Sequence, residues 1–126
     1  MLVVDDDPHA HFFAKRALSR GAGVVDFVDA WNGSEALDAL RSPENGVGGR
    51  RITHVVLDLQ MPVLDGFGFL DAFDRLPAET TDGVRVVLVS SSPNPDDHAR
   101  ARAHTCVRAI FEKALQPADS PRVLGT

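Results

Sequence analysis

The chain has 126 residues, 44% hydrophobic and 25% charged, with a net charge of −5. That length and balance suit one globular domain with its own core and leave no room for two. The negative charge makes nucleic acid a poor partner for the surface as a whole, and the single cysteine, Cys106, excludes an internal disulfide and points to a reducing compartment.

In chain order, Leu2–Val4 reads as a short strand that ends in the acidic run Asp5-Asp6-Asp7. Asp7 is placed to cap a helix over His9–Arg20, with Pro8 in its first turn and Gly21 near its end. Val24–Asp29 alternates apolar and polar residues, as an edge strand does. Asn32 caps a helix from Ser34 to about Arg41, and Ser42–Arg51, rich in glycine, reads as a mobile surface loop at the amino ends of the strands. His54–Leu57 and Val84–Val89 are nearly continuous apolar runs, the pattern of central parallel strands covered on both faces. Gly66–Arg75 is a helix with Phe67, Leu70 and Phe73 at core-facing spacing. Pro95–His104 is another helix, with Asn94 as its cap, and Val107–Phe111 is the last strand. From Gln116 onward, Pro117 and Pro121 make a poor helix. There is no internal repeat, linker or low-complexity block.

Five strands alternating with helices predict an α/β protein: a doubly wound parallel sheet in right-handed crossovers, order 2-1-3-4-5, with a short or degenerate final helix. In that order strands 1 and 3 lie side by side, and ligands bind at the carboxyl ends of the strands. Asp5 and Asp6 then meet Asp58, which abruptly ends the apolar run Val55-Val56-Leu57. Clustered carboxylate oxygens suit Mg²⁺ and repel one another without a cation. Ser90, at the end of strand 4, and Lys113, after strand 5, add a hydroxyl and an ammonium. This inventory fits phosphoryl transfer to a carboxylate: Asp58 attacks phosphorus while Ser90 and Lys113 hold the equatorial oxygens.

The Asp5-Asp6 pair, Asp58-x-x-Met61-Pro62-x-x-Asp65-Gly66, Ser90, Lys113 and Ala30-x-Asn32-Gly33-x-Glu35-Ala36-Leu37 together resemble the receiver domain of two-component response regulators, in its single-domain form. The resemblance covers essentially the whole chain, 1–126, with no output domain attached. It implies a flavodoxin-like fold and a phosphoprotein in which Asp58 accepts phosphoryl from a histidine kinase or histidine phosphotransfer protein. It also implies Mg²⁺ ligation by Asp6, Asp58 and the backbone carbonyl of Gln60, with Asp5 acting through water. The implied module signals through an unknown downstream protein and is not a turnover enzyme. Five features depart from the family pattern, among them a longer loop before strand 3. Ala114 follows Lys113 where proline is usual, and Ile110 stands where an aromatic residue is usual. Cys106 occupies a position commonly glycine, and the tail is shorter than the family's last helix. These departures keep open a second reading, a degenerate receiver that acts as a phosphorylation-independent interaction module. A Mg²⁺-dependent aspartyl phosphohydrolase ranks behind both, because such enzymes carry their nucleophile on the first strand.

Other residues take plainer readings. His9 and His11 are two apart, so on a helix they point to different sides, and both read as surface residues. Asp7 is a cap rather than a ligand. Cys106, Trp31 and Ile110 read as packing residues. Only four residues precede Asp5, too few for a signal-peptide apolar region, and no stretch is long and apolar enough to span a bilayer. The expected address is the cytoplasm and the expected state a monomer, with no membrane partner.

Overall fold

The computed structural model describes residues 1–23, 26–42, 45, 51–59, 61, 64–90, 94–112 and 115–125. Five parallel strands, β1 (Leu2–Val4), β2 (Val28–Ala30), β3 (His54–Leu57), β4 (Arg85–Ser90) and β5 (Val107–Glu112), form one sheet in the order β2-β1-β3-β4-β5. The helices are α1 (Pro8–Ala22), α2 (Gly33–Arg41), α3 (Gly66–Asp74), α4 (Ala78–Thr81), α5 (Pro95–Arg102) and α6 (Ser120–Leu124). This is the doubly wound flavodoxin-like arrangement that the strand–helix alternation predicts.

The period-two geometry of the strands divides the core in two. Leu2, Val4, Val55, Leu57, Val86 and Leu88 face α2, α3 and α5, where Leu37, Leu40, Phe69, Leu70 and Ala101 meet them. Val56, Val87, Val89 and Phe111 face the other way, against Ala17 and Leu18 of α1 and Val123 of α6. Because both faces are covered, β3 and β4 can be apolar at nearly every position, which is why they were legible as central strands.

Several elements differ from the sequence reading. β2 begins at Val28 rather than Val24: Asp26 and Phe27 are not strand, and residues 24–25 lie outside the described set. α1 runs past Gly21 to Ala22 and is capped by Gly23 at φ 71°, a left-handed turn that glycine adopts without strain. Gly21 has a different task. A Cβ there would stand 2.1 Å from the carbonyl oxygen of Pro117, so α1 and the tail touch backbone to backbone. The short helix α4, unforeseen, is held in part by Arg51. Its Nη2 donates to the carbonyls of Glu79 (2.8 Å), Thr80 (3.2 Å) and Asp82 (2.8 Å). Of the loop Ser42–Arg51, residues 43–44 and 46–50 lie outside the described set. Asn45 ties its two ends, donating to the Leu40 carbonyl at 3.0 Å and accepting from the Ile52 N–H at 2.9 Å. In the tail the prolines start structure rather than break it. Pro117 opens a 3-10 turn (Pro117–Asp119) and Pro121 lies in the first turn of α6, where a missing N–H costs nothing.

Candidate functional site

The acids converge because of strand pairing. Val4 is in register with Leu57, and the Asp58 N–H donates to the Val4 carbonyl at 3.0 Å, so Asp5 and Asp58 leave adjacent strands side by side. Asp5 and Asp58 are buried and Asp6 is exposed. Each offers a carboxylate oxygen, and the three oxygens all lie within 4.8 Å of one another. Hard oxygen donors in that number and spacing fit a small divalent cation such as Mg²⁺.

The surrounding backbone is pinned. The Asp5 N–H donates to the Ala30 carbonyl at 3.2 Å, and the Asp7 N–H donates to Asp5 Oδ1 at 2.9 Å. Asp7 caps α1, accepting from the His9 N–H at 2.9 Å, as its place before Pro8 predicts. On the other side Gly66, the first residue of α3, donates its N–H to the Leu59 carbonyl at 3.0 Å. Asp65 caps α3 through the Gly68 N–H at 2.8 Å. A Cβ on Gly66 would stand 2.6 Å from Leu59 Cα and 2.7 Å from the Asp58 carbonyl oxygen, so only glycine lets α3 start this close to Asp58. Asn32 caps α2, accepting from the Glu35 N–H at 2.9 Å, and Gly33 donates to the Leu64 carbonyl at 2.9 Å.

Ser90 is the last residue of β4, buried, and in register with Glu112, the last residue of β5. Lys113 and Gln60 lie outside the described residues, as do Ser91 and Ser92. The structure thus brings Asp5, Asp6 and Asp58 together and sets Ser90 at the end of the strand beside β3.

The sequence reading missed His11. It is not a surface residue but is buried, 2% exposed. Its Nε2 lies 2.8 Å from the Asp5 carbonyl oxygen and its Nδ1 2.8 Å from Asp29 Oδ1. Trp31 stacks on the ring with centroids 4.0 Å apart and planes 28° apart, while keeping 39% of its own surface exposed. Lys15 Nζ donates to the same Asp29 carboxylate at 2.6 Å. Burial pushes the Asp29 carboxyl up, but the hydrogen bonds and charges of Lys15 and His11 outweigh it and hold the group below its ordinary value. A signal was present: His11 shares a helical stripe with the buried Ala14 and Leu18, at i+3 and i+7. His9, by contrast, is exposed as expected. Cys106 is buried, and burial first, then the Asp74 charge, push its thiol up to about 11, so it is an inert packing group at neutral pH.

A doubly wound sheet with this acid cluster at its switch point defines a signalling module of the receiver class. The family model for the response regulator receiver domain matches residues 1–119, and the chain belongs to that family. It is 31% identical over 126 residues to protein-glutamate methylesterase/protein-glutamine glutaminase 5 of Myxococcus xanthus (strain DK1622). All of this chain is covered in that match, but it spans only 31% of the relative's length. Among solved structures, a two-component response regulator from Cytophaga hutchinsonii superposes with a TM-score of 0.83 at 26% identity, covering 99% of this chain and 96% of that one. The Mn²⁺-bound form of response regulator Rcp1 shares the fold, with a TM-score of 0.72 at 22% identity over 98% of this chain and 88% of that one.

Proposed function

We propose that this receiver domain takes a phosphoryl group from a phosphohistidine onto Asp58 with Mg²⁺ and then changes its protein contacts. The observation that carries this reading is the meeting of Asp5, Asp6 and Asp58 at the carboxyl ends of β1 and β3, with Asp58 delivered by a fully buried strand. A carboxylate oxygen of Asp58 attacks phosphorus, forming an acyl phosphate. The P–N bond to the donor histidine breaks, and its electron pair leaves on the ring nitrogen. Ser90 and Lys113 hold the equatorial oxygens. Asp6, Asp58 and the backbone carbonyl of Gln60 would hold the cation, with Asp5 acting through water. When bound, Mg²⁺ supplies neutralisation of the charge on the phosphoryl oxygens. Release follows when water cleaves the acyl phosphate, so the module resets slowly and does not turn over an external substrate.

The donor is a histidine kinase or histidine phosphotransfer protein. A groove beside the pocket supports docking there: Phe13, Arg16 and Arg20 of α1 line it together with Leu115, Gln116 and Pro117. Phe13 also lines the small cleft that reaches Asp5 and Asp58. An apolar ring followed along the same helix by two arginines suits an amphipathic helix with an acidic edge. Among the described residues no helix is long and apolar enough to cross a membrane. The proposed module is a cytoplasmic monomer that answers to an unknown downstream protein.

The test is acetyl-phosphate labelling of wild type and Asp58→Asn, which keeps the size of the side chain but not its nucleophile. Labelling should vanish in the variant, and persistent labelling refutes the assignment. Failure of wild type to bind beryllofluoride with Mg²⁺ would favour the phosphorylation-independent module instead.

A further inference from the structure

We propose that His11 is a positioning residue for the cation site: by donating from Nε2 to the Asp5 carbonyl it sets the Asp5–Asp6 peptide plane, and with it the direction of the Asp6 carboxylate. The inference rests on the phosphoacceptor reading above.

The imidazole is clamped from both sides. A carbonyl can only accept, so Nε2 is the donor to Asp5 at 2.8 Å, while Nδ1 lies 2.8 Å from the Asp29 carboxylate on the other side of the ring. Stacking on Trp31 fixes the plane of the ring. Asp29 is itself held by Lys15, so one buried ring links the edge strand β2, helix α1 and the carboxyl end of β1. The peptide before Asp5 is already fixed by the sheet, through the Asp5 N–H and the Ala30 carbonyl. The peptide after it lies beyond the last residue of β1, and His11 Nε2 meets its carbonyl there. Asp6 is exposed, yet its carboxylate comes within 4.8 Å of those of Asp5 and Asp58. Packing does not confine an exposed side chain, so its aim depends on where its backbone directs the Cα–Cβ bond. Groups that orient ligands from outside the coordination sphere commonly change metal affinity by about 10–100-fold.

A ring that merely filled space under Trp31 would make a different prediction, and two amide variants separate the cases. The Gln amide nitrogen reaches about as far as Nε2, whereas the Asn amide nitrogen reaches only about as far as Nδ1. Both variants lose the ring, its stacking and any charge it carries. His11→Gln should therefore keep the bond to the Asp5 carbonyl, and His11→Asn should keep only the bond to Asp29. Calorimetric titration of the full chain with Mg²⁺ should give a Kd for His11→Gln within about threefold of wild type and one about tenfold weaker for His11→Asn. Thermal midpoints of the two variants should be lowered alike. Should His11→Asn not fold, His11→Ser, too short to reach Asp5, takes its place with the same expected loss. Equal affinities in the Gln and short-chain variants, or wild-type affinity in the short-chain variant, overturn the proposal and leave the phosphoacceptor reading standing. Absence of Mg²⁺ binding in wild type overturns both.

Discussion

Gly66→Ala places a methyl group where the structure has backbone. Its Cβ would stand 2.6 Å from Leu59 Cα, 2.7 Å from the Asp58 carbonyl oxygen and 3.1 Å from Leu59 Cδ2. Carbon atoms pack at about 3.5–4.0 Å, so the main overlap is roughly 1 Å, and the two closest neighbours are main-chain atoms that cannot swing aside. Relief requires α3 to back away from β3 or the Asp58–Leu59 segment to shift. Overpacking of this kind costs about 1–3 kcal/mol, and the rigidity of the neighbours puts Gly66 at the upper end. Removing a helical glycine returns at most about 1 kcal/mol, and less at the first position of α3. The net loss should be about 1–2 kcal/mol, a fall of several degrees in the midpoint for a domain of this size. Gly68→Ala, two residues on, is the control. Its Cβ would meet Leu64 Cδ1 at 2.5 Å, the end of a half-buried and flexible side chain, so repacking is cheap and the midpoint should hold or rise. Thermal unfolding followed by circular dichroism reads both. Because the displaced atoms carry Asp58, Gly66→Ala should also slow acetyl-phosphate labelling, and Gly68→Ala should not. An unchanged midpoint in Gly66→Ala, or a larger loss in Gly68→Ala, would refute the steric argument.

The acid cluster predicts that Mg²⁺ at about ten times its Kd stabilises the fold by ~1.4 kcal/mol and that Asp6→Ala removes the effect; a midpoint insensitive to millimolar Mg²⁺ in wild type counts against the site. His54, at the amino end of β3, is buried with no hydrogen-bond partner for Nε2 among the described residues, and burial first, then the charges of Arg85 and the Met1 amino group, lower its pKa from 6.5. The unfolded chain therefore takes up a proton that the folded one refuses. Stability should be full above pH 6.5 and fall by up to ~1.4 kcal/mol per pH unit below it, levelling off once pH passes the folded-state value. His54→Leu should flatten that stretch of the urea-unfolding profile, and an unaltered profile would remove His54 as its source. Light scattering should show a monomer with and without beryllofluoride, because α6 has only five residues and turns Ser120 and Val123 inward; a clean shift to dimer would sink that expectation.

The sheet was legible because β3 and β4 are buried on both faces, and the acid cluster because the residues that end β1 and β3 abruptly change polarity. Caps were legible for a related reason: Asp7, Asn32 and Asn94 stand at the starts of helices, and each accepts from a first-turn N–H of its helix. The misses have physical causes too. β2 is an edge strand of three residues with Val28 and Asp29 exposed, so tertiary contacts rather than local alternation decide where it starts. His11 was read by its two-residue spacing from His9, and only the helical stripe it shares with Ala14 and Leu18 tells that it points inward. Its partners are an Asp5 backbone carbonyl, which no side-chain pattern encodes, and Asp29, eighteen residues away. Gly21 looked like a terminator because glycine usually is one, and the backbone contact that requires it comes from the far end of the chain.

That contact is one of several close ones that seat residues 115–125 on one face of the sheet. The Ser120 hydroxyl donates to the Ala17 carbonyl at 2.8 Å, and both residues are buried. Gly21 lets Pro117 approach α1 to a distance no other residue allows. Val123, fully buried, fills the space between α1 and the strands, and the Arg122 guanidinium lies 4.7 Å from the centre of the Phe111 ring. A buried hydroxyl on a helix carbonyl contributes about 1 kcal/mol net, but leaving that hydroxyl unpaired costs more. The lock is therefore specific rather than merely adhesive. It sits at the carboxyl-terminal end of α1, and His11 sits at the amino-terminal end of the same 15-residue helix. One rigid strut of roughly 22 Å thus holds the tail at one end and braces the Asp5–Asp6 peptide at the other, which makes α1 the element through which the tail and the acid pocket share a single reference frame.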